Sequence, residues 1–249
     1  MDTLLPMELA IEPSTTLADL VTGHPDLAGE LEGRSLDYCC GGQRTLAEAC
    51  RDRGLDPEIV AEQLAAAAST APPSAWTSLD AAALVDHLEA THHSYLHAEL
   101  PRISALAAKV LGVHGATHPE LAAIESTFEQ LRAELEPHLA KEERVLFPAI
   151  RKLAAADRAE DRGMALTGPI SQMLREHDQA GELLERLHRI STGYVVPSDG
   201  CASYEALYRA LEALEADTHL HVHIENNRLF PMVAGLESDA GSDANRSEA

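Results

Sequence analysis

Aromatic and basic side chains are scarce in this 249-residue chain: Phe, Tyr and Trp make up 4%, and 19 Lys and Arg face 41 Asp and Glu, for a formal charge of −22. With so few aromatics against abundant Ala, Leu and Glu, helix formers outweigh strand formers, and an all-α protein is expected. The shortage of positive charge excludes nucleic acid and anionic membrane surfaces as partners, because an acidic field repels phosphate. No stretch approaches the roughly 18 uncharged apolar residues of a membrane-spanning helix. The opening MDTLLPMELAIEPS has neither the basic start nor the apolar core of a signal peptide, so a soluble, cytoplasmic protein is expected. Cys39, Cys40, Cys50 and Cys201 show no C-x-x-C and no framework spacing. That excludes a zinc ribbon, a thioredoxin-type motif and a disulfide scaffold, and leaves reduced thiols.

What is present is punctuated by Pro and Gly. Residues 14–69 break into short amphipathic pieces at Gly23-His24-Pro25, Gly33, Gly41-Gly42 and Gly54, with Asp56 as a cap and Pro57 in the first turn of the last piece. Thr70-Ala71-Pro72-Pro73-Ser74 opens a linker over 70–78, since Pro-Pro cannot continue a helix. Four longer helical segments follow, at about 79–111, 117–154, 167–192 and 201–234. Apolar stripes run through Leu84, Leu88, Leu96, Leu100 and Ile103 in the first, and through Leu121, Ile124, Phe128, Leu131 and Leu135 in the second. Ile170, Met173 and Leu174 open the third. Short connections between such helices make an antiparallel four-helix bundle. Pro101, Pro137 and Pro148 are expected to kink or end their helices, and the Gly/Ser-rich tail 235–249 to be disordered.

The densest signal is a repeated frame. His138-Leu139-Ala140-Lys141-Glu142 precedes Leu146-Phe147-Pro148, and His221-Val222-His223-Ile224-Glu225 precedes Leu229-Phe230-Pro231. Helical residues four apart differ by about 40° around the axis, so His and Glu project together as a two-ligand clamp. One such pair alone is ordinary surface chemistry. Two in one longer frame point to metal, with further ligands from the other helices: His177 in the third, and His87, His92, His93 or His97 in the first. Imidazoles with carboxylates able to bridge favour a dinuclear iron or manganese centre, and Glu142 and Glu225 are the bridging candidates. His219 and His223 lie about 200° from His221 and should point away from it. His114, His118 and His188 read as solvated, and Cys50 and Cys201 as inert. Adjacent Cys39 and Cys40 cannot pair with each other without strain, which suits them to exchange, metal contact or NO chemistry.

Asp37-Tyr38-Cys39-Cys40-Gly41-Gly42 in a small N-terminal module, followed by a bundle bearing Glu176-His177-Asp178-Gln179-Ala180-Gly181-Glu182 and the His221 to Pro231 frame, resembles the RIC family, the repair-of-iron-centres proteins. The likeness covers roughly residues 14–234. It implies a haemerythrin-like bundle holding two non-haem irons as an oxo- and carboxylate-bridged centre, with His93, His138, Glu142, His177, His221 and Glu225 as ligands. His92 and His97 compete with His93 for the first position. The same resemblance implies that Glu134 and Glu176 form a polar route beside the site for protons, iron or small ligands, and that Cys39 and Cys40 have a thiol role. It further implies repair of iron–sulfur clusters after nitrosative or oxidative damage, with damaged iron–sulfur proteins as partners, NO or O2 as small ligands, and a homodimer. An O2- or NO-binding haemerythrin-like protein is the alternative.

Overall fold

Capping chemistry sets the helix starts of the N-terminal unit. The computed structural model describes residues 10–69, 74–156 and 165–244, backbone only from 239. Here α1 (Leu17–Gly23) starts on the Thr16 hydroxyl, which accepts from the Asp19 N–H, and α2 spans Ala28–Glu32. A reciprocal Thr45/Glu48 box opens α3 (Leu46–Arg53), and Gly54 at φ 68° ends it in the left-handed conformation a side chain would resist. Asp56 caps α4 (Pro57–Ala67) with Pro57 at its first position. Leu17, Leu20, Val21, Leu27, Leu31, Leu46, Cys50 and Leu64 are buried in this unit.

A second compact unit begins at Leu79. Of the expected linker, 70–73 lie outside the described residues, and Ala75–Ser78 form a 3-10 turn with Trp76 buried. The four bundle segments are α5 (Ala81–Leu88) running into α6 (Ser94–His114), α7 (Glu120–Lys141) running into α8 (Phe147–Ala154), α9 (Thr167–Ile190), and α10 (Ala202–Ile224) running into α11 (Phe230–Ala244). Helix α7 lies against α6 and α9, and α10 closes the bundle against α6 and α9. Both expected stripes are buried, and Leu184, Leu187, Leu207, Leu211 and Leu214 complete the core below the clamps. No strand occurs among the described residues, only an isolated bridge between Thr16 and Thr45.

Pro101 and Pro137 sit inside α6 and α7, which run on past them. Two expectations need correction. Leu174 is 39% exposed, because Met173, His177, Ala180, Leu184 and Leu187 define the buried arc of α9 and Leu174 falls about 100° from its centre. The tail is helical to Ala244, with only 245–249 outside the described residues. Glu237 anchors it, its carboxylate accepting the Leu166 N–H at 2.6 Å just ahead of α9.

Candidate metal centre

Three of the four bundle segments contain one wide π turn, and each places a candidate ligand. Glu89–His93 ends on His93, while Glu142–Leu146 and Glu225–Leu229 begin on the two clamp carboxylates. The Phe147 N–H bonds the Glu142 carbonyl and the Phe230 N–H bonds that of Glu225, five residues back. Pro148 and Pro231 follow, lacking an N–H and needing clearance from the carbonyl four residues earlier. A wide turn gives that clearance, so the repeated Leu-Phe-Pro marks the exit from each π turn, and Pro148 does not terminate the segment.

The structure brings all six side chains into the bundle, none more than 3% exposed. They form two overlapping groups, His93/Glu142/His221/Glu225 and His138/Glu142/His177/Glu225, each with donor atoms within 4.8 Å of one another. Both carboxylates belong to both groups. His177 Nε2 lies 3.1 Å from Glu225 Oε2, His221 Nε2 3.2 Å from Glu225 Oε1, and His138 and His93 Nε2 lie 3.4 and 3.5 Å from Glu142 Oε2. Of the competitors for the first-helix position, His97 is half exposed and directs Nε2 to Glu143, and His92 directs Nδ1 to Asp217. His223 is buried, with Nδ1 3.3 Å from Asn227 and outside both groups.

These atoms fit cations better than each other. His93 Nε2, His221 Nε2 and all four oxygens of Glu142 and Glu225 are buried without hydrogen-bond partners, an arrangement that costs about 1–3 kcal/mol per atom unless a ligand compensates. The Nε2 atoms of His138 and His177 face each other at 3.2 Å; two nitrogens each ~2.1 Å from one ion at near-right angles sit roughly 3.0–3.2 Å apart. Burial pushes His177 down, but the Glu225 carboxylate 3.1 Å away and the charge of Glu142 raise it to about 9. Glu225 is driven up by burial yet held well below the carboxylate range by His221 and His177. Buried anions of this kind demand positive charge.

The outward-facing ring nitrogens are gripped from behind. His138 Nδ1 meets Glu176 Oε2 at 2.9 Å, His93 Nδ1 meets Glu143 Oε1 at 3.0 Å, and His177 Nδ1 meets Asn226 Oδ1 at 2.8 Å. Glu143 and Asn226 each directly follow a clamp carboxylate, a positional signal the sequence reading passed over. His221 differs: the His92 ring stacks on it at 5.4 Å. Burial drives Glu176 upward, but hydrogen bonds from Lys141, Gln172 and His138 bring it down to about 2. Glu134 bonds none of the six; it is exposed at a narrow cleft also lined by His138, Glu176, His177, Thr218 and His221.

The cysteines behave differently from one another. Cys39 is buried and Cys40 partly so, in the N-terminal unit, with sulfurs 3.8 Å apart. The hydrogen bond with Cys40 and burial raise the Cys39 thiol well above its ordinary value. Cys201 is exposed at the start of α10, where the Tyr204 N–H and His114, with Nε2 3.2 Å from the sulfur, lower its thiol to about 7. His114 and His118 are accordingly not merely solvated, since His118 pairs with Glu120 and Asp199. Loop geometry between 114–120 and 197–201 created that cluster.

Two family models match. Residues 83–233 match the Hemerythrin HHE cation binding domain, and residues 13–68 match ScdA_N, a domain of unknown function. Among relatives, the iron-sulfur cluster repair proteins YtfE of Escherichia coli (strain HS) and of Shigella boydii serotype 4 are each 33% identical over 215 residues, covering 86% of this chain and 94% of theirs. With its buried His and Glu groups inside the first matched domain, and the Cys-Cys loop inside the second, the chain belongs to the haemerythrin HHE family, among the YtfE-type iron–sulfur cluster repair proteins.

Proposed function

We propose that this protein restores iron–sulfur clusters damaged by nitrosative or oxidative stress in the cytoplasm, and that its bundle holds two iron ions, one in each His2Glu2 group. The observation that carries this reading is the membership of Glu142 and Glu225 in both groups, which suits carboxylates spanning a pair of ions. The names of the YtfE relatives support the repair role. When bound, such iron supplies a redox-active metal that can be released to a damaged cluster or can take up NO.

The chain's residues prepare that chemistry. Neutral imidazoles without thiolates leave the metal exchangeable. Glu176, Glu143 and Asn226 fix three rings so that Nε2 faces inward. Buried Leu96, Leu139, Leu146, Phe147 and Leu229 on the surrounding helices exclude bulk water, while a narrow cleft beside His138 and His177 leads toward the surface. The test is iron analysis joined to reactivation of an NO-inactivated iron–sulfur dehydratase. Wild type should bind two coupled irons and restore activity, and Glu142→Ala and Glu225→Ala should lose both. Retention of coupled iron by both variants would overturn the site; reversible oxygenation of the reduced wild type without reactivation would favour the O2-binding alternative.

A further inference from the structure

The Cys-Cys loop of the N-terminal unit is built around one carboxylate. Asp37 Oδ1 accepts the N–H groups of Cys39 (3.1 Å) and Cys40 (2.9 Å), and its Oδ2 accepts that of Gly41 (2.9 Å). Gly41 is required there: a Cβ would fall 2.9 Å from the Asp37 carbonyl oxygen and 3.1 Å from its Oδ2. The loop is pinned to the start of α1, whose Leu17 and Ala18 N–H groups donate to the Arg44 and Gly42 carbonyls at 2.9 and 2.8 Å. The turn therefore holds three donor atoms in fixed positions. Cys39 Sγ lies 3.2 Å from Asp37 Oδ1 and 3.8 Å from Cys40 Sγ, and all three residues offer ligand atoms within 4.8 Å of one another.

The sulfur separation is the informative distance. Two sulfurs each ~2.3 Å from one tetrahedral ion sit roughly 3.8 Å apart. A carboxylate offers about four acceptor directions; three backbone N–H groups and the Cys39 S–H occupy those of Asp37, and loss of the thiol proton on metal binding frees one. Cys39 is buried, Cys40 partly exposed and Asp37 exposed, which leaves the remaining coordination position facing solvent.

From this geometry we infer that Asp37, Cys39 and Cys40 form a second metal site, an open S2O site for one thiophilic divalent cation of the zinc or ferrous class. Binding exchanges two S–H bonds for two metal–sulfur bonds; both protons leave to solvent and no electron moves. Softness separates this site from the bundle groups, which offer only imidazole and carboxylate. With three protein ligands and an open position, the site suits a cation in exchange more than one locked in place. The inference does not depend on what the bundle holds.

The experiment uses the full chain with its bundle first saturated with iron and excess removed anaerobically. Cobalt(II) is then titrated as the probe. One cobalt per chain should bind with a thiolate-to-cobalt charge-transfer band. Cys40→Ser should lose the band and Asp37→Asn should weaken binding roughly tenfold or more, whereas Cys201→Ser should keep the band. Zinc should also protect Cys39 and Cys40 of the wild type from alkylation, a measurement that decides the matter if Cys40→Ser loses helicity. Absence of the band in wild type, its survival in folded Cys40→Ser, one ion shared by two chains, or undiminished alkylation under zinc would overturn the site.

Discussion

Replacing Glu176 isolates the contribution of a residue that never reaches the centre. Its Oε2 accepts from His138 Nδ1–H at 2.9 Å, and its Oε1 accepts from Gln172 at 2.8 Å and from Lys141. A hydrogen bond to a charged acceptor contributes about 1.5–3 kcal/mol. Loss of such a carboxylate behind a ligating imidazole weakens metal binding about 10–100-fold, which is ~1.4–2.8 kcal/mol at 1.4 kcal/mol per decade. The two routes agree. Glu176→Gln keeps an acceptor oxygen and loses the charge, so about tenfold is expected; Glu176→Ala loses both, and about 100-fold is expected. Glu134→Ala, which removes a cleft-lining carboxylate bonded to none of the six, should stay within about twofold, since a surface charge is screened. Iron affinity is read by chelator competition on the full chain, with helicity as the control for folding. A Glu176→Ala variant that binds as tightly as wild type, or a Glu134→Ala variant that suffers equally, would refute the reasoning.

Three further outcomes follow from the same coordinates. Cys201, lowered to about 7, should be the fastest thiol alkylated; its rate should climb as pH rises through about 7 and level off above, and His114→Ala should shift that profile upward in pH. A rate no faster than that of Cys50, whose thiol burial raises, would contradict this. Phe128, fully buried in the bundle core, should cost about 3–5 kcal/mol in urea unfolding when changed to Ala, and a loss under 1 kcal/mol on that scale would mean the core re-forms around the gap. A fragment beginning at Ser78 should keep its helicity and its iron, given that the second compact unit starts at Leu79; loss of both would show that residues before it complete the core.

Much of the site was legible because its signals are local. His138 with Glu142 and His221 with Glu225 share a face by helical rotation alone, and the stripes of α6 and α7 are read the same way. Leu174 marks where a short reading of three residues failed: the arc through Met173, His177 and Ala180 is visible only over several turns. Glu143 and Asn226 were passed over because their roles concern rings on other helices, and nothing in their own surroundings announces a partner at 2.8–3.0 Å.

Composition and periodicity by themselves determined that this chain is helical, where its clamps lie and which two carboxylates they carry. Those are properties of consecutive residues, fixed by backbone geometry before any helix meets another. Tertiary structure decided the rest. It placed His93, and neither His92 nor His97, beside the two carboxylates, because the π turn at Glu89–His93 and the packing of α10 turn that ring inward while its neighbours find Asp217 and Glu143. It carried α11 past Gly235, because Glu237 meets the start of α9. It added to the lowering of the Cys201 thiol that the neighbouring Tyr204 N–H begins, because two loops far apart in the chain bring His114 beside it. In each case a contact between segments distant in sequence supplies the free energy, and no window of consecutive residues contains both of its halves.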